Sequence, residues 1–214
     1  MSIRNERKQQ SRQALLDAAL KLSTTGRAFS TISLRELARE VGLVPTAFYR
    51  HFEDMEQLGQ ALVEQVSGRL KLMLSQLRQG YLKHQDAKTK TSIQLFFRAV
   101  DQSPQDWFFL IGERWGGSET VRREIAKEIE SLTRDLANDL EASRNFQHVE
   151  NHQDLYVMTT IIVNLSLTWA MTWLNLPQQY QGELLKQQQQ IYLEHAMTQV
   201  RLLFRGIANW QSIE

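Results

Sequence analysis

The stretch "VGLVPTAFYRHFED", Val41–Asp54, decides how the chain is read. Gly42 has no Cβ and can take the left-handed backbone that ends a helix, and Pro45 suits the first turn of a new one, where its missing N–H has no intrahelical partner. Ala47, Phe48 and Tyr49 continue that short helix, and Asp54 is placed to cap the next, with Glu56 close to its positive end. Working backwards, "STISLRELAREV" sets Ser33 to accept from the third helical N–H and Glu36 to reach back, a capping box that starts a second helix at Leu34 and runs it to about Val41. Before it, Leu15, Ala18, Ala19 and Leu22 mark one face of a first helix from Ser11 to about Thr24, with Gly26 just past its end. Two short helices joined by a glycine turn across Ile32–Phe52 form the pattern of a helix-turn-helix.

The rest of the sequence agrees with a helical protein. Among 214 residues there are three prolines, ten glycines and no cysteine. The first two counts favour helices with short connections, and the third excludes disulfides, thiolate metal sites and cysteine nucleophiles. The basic, polar start "MSIRNERKQQSR" has no apolar run behind it, so no secretory signal is read there and a cytoplasmic location is expected. Up to Phe52 there are nine Lys/Arg against four Asp/Glu, a net +5, and beyond it sixteen against twenty, a net −4. A basic front module on an acidic remainder points to a polyanion met by that module alone, although a merely solvated basic arm has the same composition.

The short helix "PTAFYRH" carries the chemistry. Its exposed face is expected to hold Thr46, Tyr49, Arg50 and His51. Thr46 can meet a base edge or a thymine methyl, Tyr49 and His51 can donate to phosphate, and Arg50 can do either.

On these residues, "TISLRELAREVGLVPTAFYRHFEDMEQL" resembles the DNA-binding region of the TetR-family bacterial transcriptional regulators. The resemblance covers about the first sixty residues. It implies that Arg35 reaches a base or phosphate, that Pro45, Thr46 and Ala47 lie at base edges, and that Tyr49 and His51 hold phosphates. Thr31 and Ser33 would meet a further phosphate at the start of the second helix, and Phe48 and Phe52 would be core. It also implies an all-α architecture, a three-helix DNA-binding domain over 1–53 and a larger helical ligand-binding and dimerisation domain over 54–214. A narrower likeness lies downstream: "GERWGGSETVRREIAKEI" is similar to the "RERSG"-like motif of the FabR and DesT regulators of unsaturated fatty acid synthesis, departing from it at Trp115 and Gly117.

That likeness shapes the expectation for the effector. Phe96, Phe97, Trp107, Phe108, Phe109, Trp115, Trp169 and Trp173 offer aromatic surface for an acyl chain, with ordinary core packing as the alternative for each. Arg114, helped by Arg122 and Arg123, is the candidate for a carboxylate or a coenzyme A phosphate, or else is paired with Glu113 or another local acid. The expected ligand residues are therefore Phe96, Trp107, Phe108, Arg114, Trp115, Trp169 and Trp173, with fatty acyl-CoA as the effector and another hydrophobic metabolite or drug as the alternative.

Other chemistries find little support. His148 and His152 are four apart, but no third ligand joins them, so a solvated loop is the better reading and no metal or other cofactor is expected. Neither a Gly-rich phosphate loop nor a serine nucleophile motif is present, so an enzyme is not expected. Leu155–Leu176 runs twenty-two residues without a charge, enough on paper to cross a bilayer. Thr160, Asn164, Thr168 and Thr172 stripe one face of it and basic flanks are missing, so it is read as a helix buried in protein. With the last helix, whose face is Leu185, Tyr192, Ala196, Val200, Leu203 and Ile207, it is expected to form a four-helix dimer interface, as the resemblance implies. A homodimer would place two recognition helices on a palindromic operator in double-stranded DNA. The expectation is a ligand-responsive repressor, the alternative being a DNA-binding protein without a sensor.

Overall fold

A computed structural model of the chain describes residues 3–83, 89–142, 149 and 151–210. Among these residues the structure is helical, with no strand. In chain order come α1 (Ile3–Ser23), a 3-10 turn (Phe29–Thr31), α2 (Leu34–Glu40), α3 (Pro45–Phe48), α4 (Met55–Lys83), α5 (Thr89–Gln102), α6 (Pro104–Glu113), α7 (Glu119–Glu141), α8 (His152–Gln179) and α9 (Gly182–Ala208).

The chain divides into two compact units. The first takes in the chain through Leu70 together with Gln105–Glu128, and the second Lys71–Pro104 and the chain from Ile129 on.

In the first unit the expected punctuation is realised. Ser33 accepts from the Glu36 N–H at 3.2 Å, Asp54 accepts from the Gln57 N–H at 2.8 Å, and Gly42 sits at φ 68°. The Glu36 carboxylate is also taken by Arg27, and this pairing, with the Ser33 N–H as a further contribution, holds it below the usual carboxylate range. Leu15, Leu16, Ala19, Leu37, Ala38, Phe48, Phe52, Leu58 and Leu62 are buried together with Phe29 and Val121, each large side chain stabilising the fold by roughly 1.5–3 kcal/mol. The first helix starts at Ile3, eight residues before the apolar pattern does. Its added turns consist mostly of Arg, Glu, Lys and Gln, good helix formers whose side chains are exposed from Asn5 to Gln10, so no apolar stripe announces them.

In the second unit α5, α8 and α9 pack on one another. Leu140, Val149, Leu155, Met158 and Ile207 form a core with Leu136, Ile162, Leu203 and Phe204 against it. The face of α9 read from the sequence is the inward one, with Ala196 and Ile207 buried and Leu185, Tyr192, Val200 and Leu203 half-buried. Helix α8 is long and apolar enough to span a membrane by length and composition alone. Its polar stripe satisfies itself by back-bonding: Thr160 to the Tyr156 carbonyl at 2.8 Å, Asn164 to Thr160 at 2.8 Å and Thr168 to Asn164 at 3.0 Å. It also runs through Pro177 to Gln179, past the end at Leu176 taken from the sequence, because Pro177 lies in the last turn and the Tyr180 N–H still closes onto the Leu176 carbonyl.

Candidate nucleic-acid interface and effector-side residues

The helix-turn-helix brings together most of the polar residues singled out in the sequence. α2 and α3 pack against each other, and Phe48 and Phe52 are 0% and 2% exposed with their rings 5.7 Å apart. This anchoring turns the start of α3 and the turn that follows it, Tyr49 to His51, outward. Pro45, Thr46 and Arg50 are exposed, Tyr49 is 63% exposed, and Ala47 and His51 are half-buried. On the approach to α2, Thr31, Ser33 and Arg35 are exposed as well. The Thr31 hydroxyl donates to the Ala28 carbonyl at 2.8 Å, while the Ser33 hydroxyl accepts from the Glu36 N–H as the cap and keeps its own hydrogen to donate. Among the described residues neither Arg35 nor Arg50 has an acidic partner. Unneutralised guanidinium groups on one surface favour a polyanion.

His51 adds a titratable group to this surface. Burial pushes its pKa down, and the positive charges of Lys8, Arg12 and Arg50 push in the same direction. Its Nδ1 is buried without a hydrogen-bond partner. Arg12 also lies over the Phe52 ring, 4.9 Å from its centroid. Lys8 and Arg12 therefore belong to the same basic surface. Their charge is visible in the sequence, but Lys8 precedes the expected helix start at Ser11, and nothing local to Arg12 ties it to His51 or Phe52, about forty residues on. Val44, 64% exposed beside Pro45, is a further neighbour that periodicity did not single out.

The seven expected ligand residues fall into both units. Phe96, Trp169 and Trp173 lie in the second. Phe96 and Trp169 are buried and meet edge to face at 6.2 Å, while Trp173 is half-buried and stacks on Phe97 at 4.3 Å. The polar edges of both indoles are satisfied: Trp169 Nε1 donates to Gln199 at 2.6 Å and Trp173 Nε1 to Asp101 at 2.8 Å. Trp107, Phe108, Arg114 and Trp115 belong to the first unit. Trp107 is core at 2% exposure, Phe108 and Arg114 are half-buried, and Trp115 is 80% exposed with the Arg114 guanidinium 5.3 Å above its ring. Glu113 is not the partner of Arg114, because its carboxyl is turned to the backbone N–H of Phe29.

Of the histidine pair, His148 lies outside the described residues, and His152 faces Glu141 at 3.4 Å. Among the described residues no group of three or more His, Asp or Glu could hold a metal ion.

Comparison with known proteins agrees with this geometry. Residues 15–62 match the family described as bacterial regulatory proteins, tetR family, and residues 86–198 match the tetracyclin repressor-like C-terminal domain. Among solved structures the chain is similar to reduced NemR of Escherichia coli, at 19% identity and TM-score 0.62, covering 91% of this chain and 97% of that one. A transcriptional regulator from Aquifex aeolicus is similar at 16% identity and TM-score 0.56, covering 90% and 98%. The fatty acid degradation regulator FadR from Bacillus halodurans is similar at 11% identity and TM-score 0.59, covering 95% and 97%. Regulators of this kind are dimeric, non-enzymatic proteins that bind operator DNA and respond to small-molecule effectors. Its helix-turn-helix and its C-terminal domain both place this chain in the TetR family of bacterial transcriptional regulators.

Proposed function

We propose that this regulator is a cytoplasmic repressor of fatty acid synthesis or desaturation genes, released or engaged by a fatty acyl effector such as an acyl-CoA. The observation that carries the DNA-binding part is the outward surface of Thr46, Tyr49 and Arg50 over the buried pair Phe48 and Phe52, with unpaired Arg35 beside it. Residues 1–53 serve as the DNA-contacting domain and 54–214 as the effector and dimerisation domain. Thr46, with Pro45 and Ala47, meets base edges, while Tyr49, His51, Thr31 and Ser33 hold phosphates.

Two copies are joined through α8 and α9. Supporting this is an apolar outward row: Val157 and Ile161 on α8, and Leu184, Ile191 and Leu202 on α9, are 44–65% exposed. The spacing of two recognition helices then sets a palindromic operator. For the acyl chain, the reading is supported by the aromatic group of Phe96, Trp169 and Trp173 in the second unit. The effector acts by favouring one of two spacings of the recognition helices.

Thermal unfolding with acyl-CoAs of varied length and unsaturation, followed by duplex binding on operator fragments selected from random DNA, tests the proposal. At a hundredfold excess over Kd a bound ligand stabilises by about 2.7 kcal/mol, roughly 5–10 °C for a chain of this size. A series in which no acyl species shifts the midpoint would remove the fatty acyl assignment and point to a different hydrophobic effector.

A further inference from the structure

Glu113 ends α6 with its side chain 4% exposed. One carboxyl oxygen, Oε1, accepts from the backbone N–H of Phe29 at 2.6 Å, while Oε2 is buried without a hydrogen-bond partner. A half-satisfied buried carboxyl costs free energy, so the surrounding structure must hold it there. The turn after α6 does so. The Gly116 N–H returns to the Glu113 carbonyl at 3.0 Å, and Arg122 donates to the Gly116 carbonyl. A Cβ on Gly116 would overlap the Glu113 carboxyl, and one on Gly117 would overlap the Ser30 hydroxyl. The paired glycines let the backbone close over both groups.

We propose that Glu113 is a positioning residue for the DNA-contacting surface: with Gly116 and Gly117 it clamps the 3-10 turn Phe29–Thr31, and through it the start of α2 that carries Ser33 and Arg35. The clamp stands on its own geometry, while its consequence for DNA rests on the functional reading above.

The clamp also has a pH signature. Burial raises the Glu113 pKa, and the Phe29 N–H offsets this only in part. The charged groups on the surrounding elements are engaged elsewhere: Arg27 with Glu36, Glu56 with the Thr120 hydroxyl, Glu119 with Arg123, Arg122 with the Gly116 carbonyl, and Arg114 over Trp115. With its pKa raised in the folded protein, Glu113 contributes stability that is full below its unfolded pKa and is lost as pH rises through the folded value.

The test compares the full chain with Glu113→Gln and Glu113→Ala. Glutamine keeps the acceptor for the Phe29 N–H and cannot ionise, so between about pH 5 and 8 the wild-type midpoint should fall relative to the glutamine variant. Amide exchange over residues 28–33, corrected for intrinsic rates, should be about tenfold faster in Glu113→Ala than in wild type and unchanged over α9. Binding to duplex DNA should weaken in Glu113→Ala and stay near wild type in Glu113→Gln at low pH. Parallel pH profiles for wild type and Glu113→Gln, or unchanged exchange over 28–33 in Glu113→Ala, would overturn the clamp. Faster exchange with undiminished duplex binding would overturn its positioning role. Wild-type protein that binds no duplex at all, with the exchange and pH results as expected, would instead refute the DNA reading and leave the clamp standing.

Discussion

Replacing Gly59 by alanine sets two effects on α4 against each other. In a helix interior alanine is better than glycine by about 0.8–1.0 kcal/mol, so propensity alone makes the change stabilising. At Gly59, however, a Cβ would sit 2.8 Å from Val121 Cγ2, 2.9 Å from Phe29 Cε1 and 3.0 Å from Phe29 Cζ. Carbon pairs are most favourable near 3.5–4.0 Å, and Val121 and Phe29 are 0% and 3% exposed, so neither can swing into solvent. Forcing one methyl into a filled site costs about 1–3 kcal/mol, which exceeds the propensity gain. The net expectation is a loss of about 1 kcal/mol, roughly 2–4 °C in Tm for a chain of this size. Gly68 on the same helix is the control, since a Cβ there meets nothing within 4 Å and the residue is exposed. Gly68→Ala should therefore stabilise by about 0.8–1.0 kcal/mol, the opposite sign for the same chemical change. Urea unfolding of both variants and of Gly59→Ala combined with Val121→Ala measures the terms. Removing Cγ2 should make the pair cost less than the two single changes together, by about 1 kcal/mol. A Gly59→Ala protein as stabilised as Gly68→Ala would refute the argument that close packing against Phe29 and Val121 sets the residue at this position.

Further outcomes concern the DNA surface and the dimer. Tyr49→Phe should weaken binding to all duplexes alike, whereas Thr46→Ala should change sequence preference by roughly 1–3 kcal/mol at one base pair, so equal losses on cognate and random DNA would contradict the role of Thr46. The lowered pKa of His51 gives the free protein a stability that is present above the unfolded value and lost as pH falls through the folded one. Phosphates brought close to His51 would reverse that preference, so duplex binding should tighten as pH falls below the ordinary imidazole value of about 6.5, and His51→Gln should flatten both profiles. Leu202, 65% exposed on α9, should yield a folded monomer when changed to glutamate, and sedimentation showing an intact dimer would place the interface elsewhere.

The helix-turn-helix was legible because its signals are local. Gly42 at positive φ, Pro45 opening α3, Ser33 and Asp54 as caps each act within three residues of their partners. What the sequence hid depends on distance or on missing contrast. The opening of α1 is polar on every face, so no period of apolar residues marks it. Pro177 reads as a stop, yet α8 carries on to Gln179, and the Tyr180 N–H closes its last turn onto the Leu176 carbonyl. The aromatics were visible as a resource, but which of them fill the core depends on packing: Trp107 is enclosed while Trp115 stands in solvent. Glu113 was passed over as a neighbour of Arg114, since its partner is a backbone N–H 84 residues away in the chain.

That last contact changes what the segment "GERWGGSE" signifies. Read as sequence, its arginine invites an anionic ligand and its glycines look like a loop. In the structure the arginine lies over an exposed tryptophan, whereas the glutamate is buried against the 3-10 turn, with half-buried Gly116 close to its carboxyl and Gly117 close to the Ser30 side chain. Departures from a motif then carry unequal weight. Trp115 occupies a position open to solvent, where a large side chain in place of a small one displaces nothing. At Gly117 a Cβ would meet the Ser30 side chain, its hydroxyl first, so a larger residue there requires that side chain to move. The residues behind the likeness to the unsaturated fatty acid regulators lie in the first unit, which also holds the helix-turn-helix. The aromatic side chains on which the acyl proposal rests, Phe96 on α5 and Trp169 and Trp173 on α8, lie in the second unit.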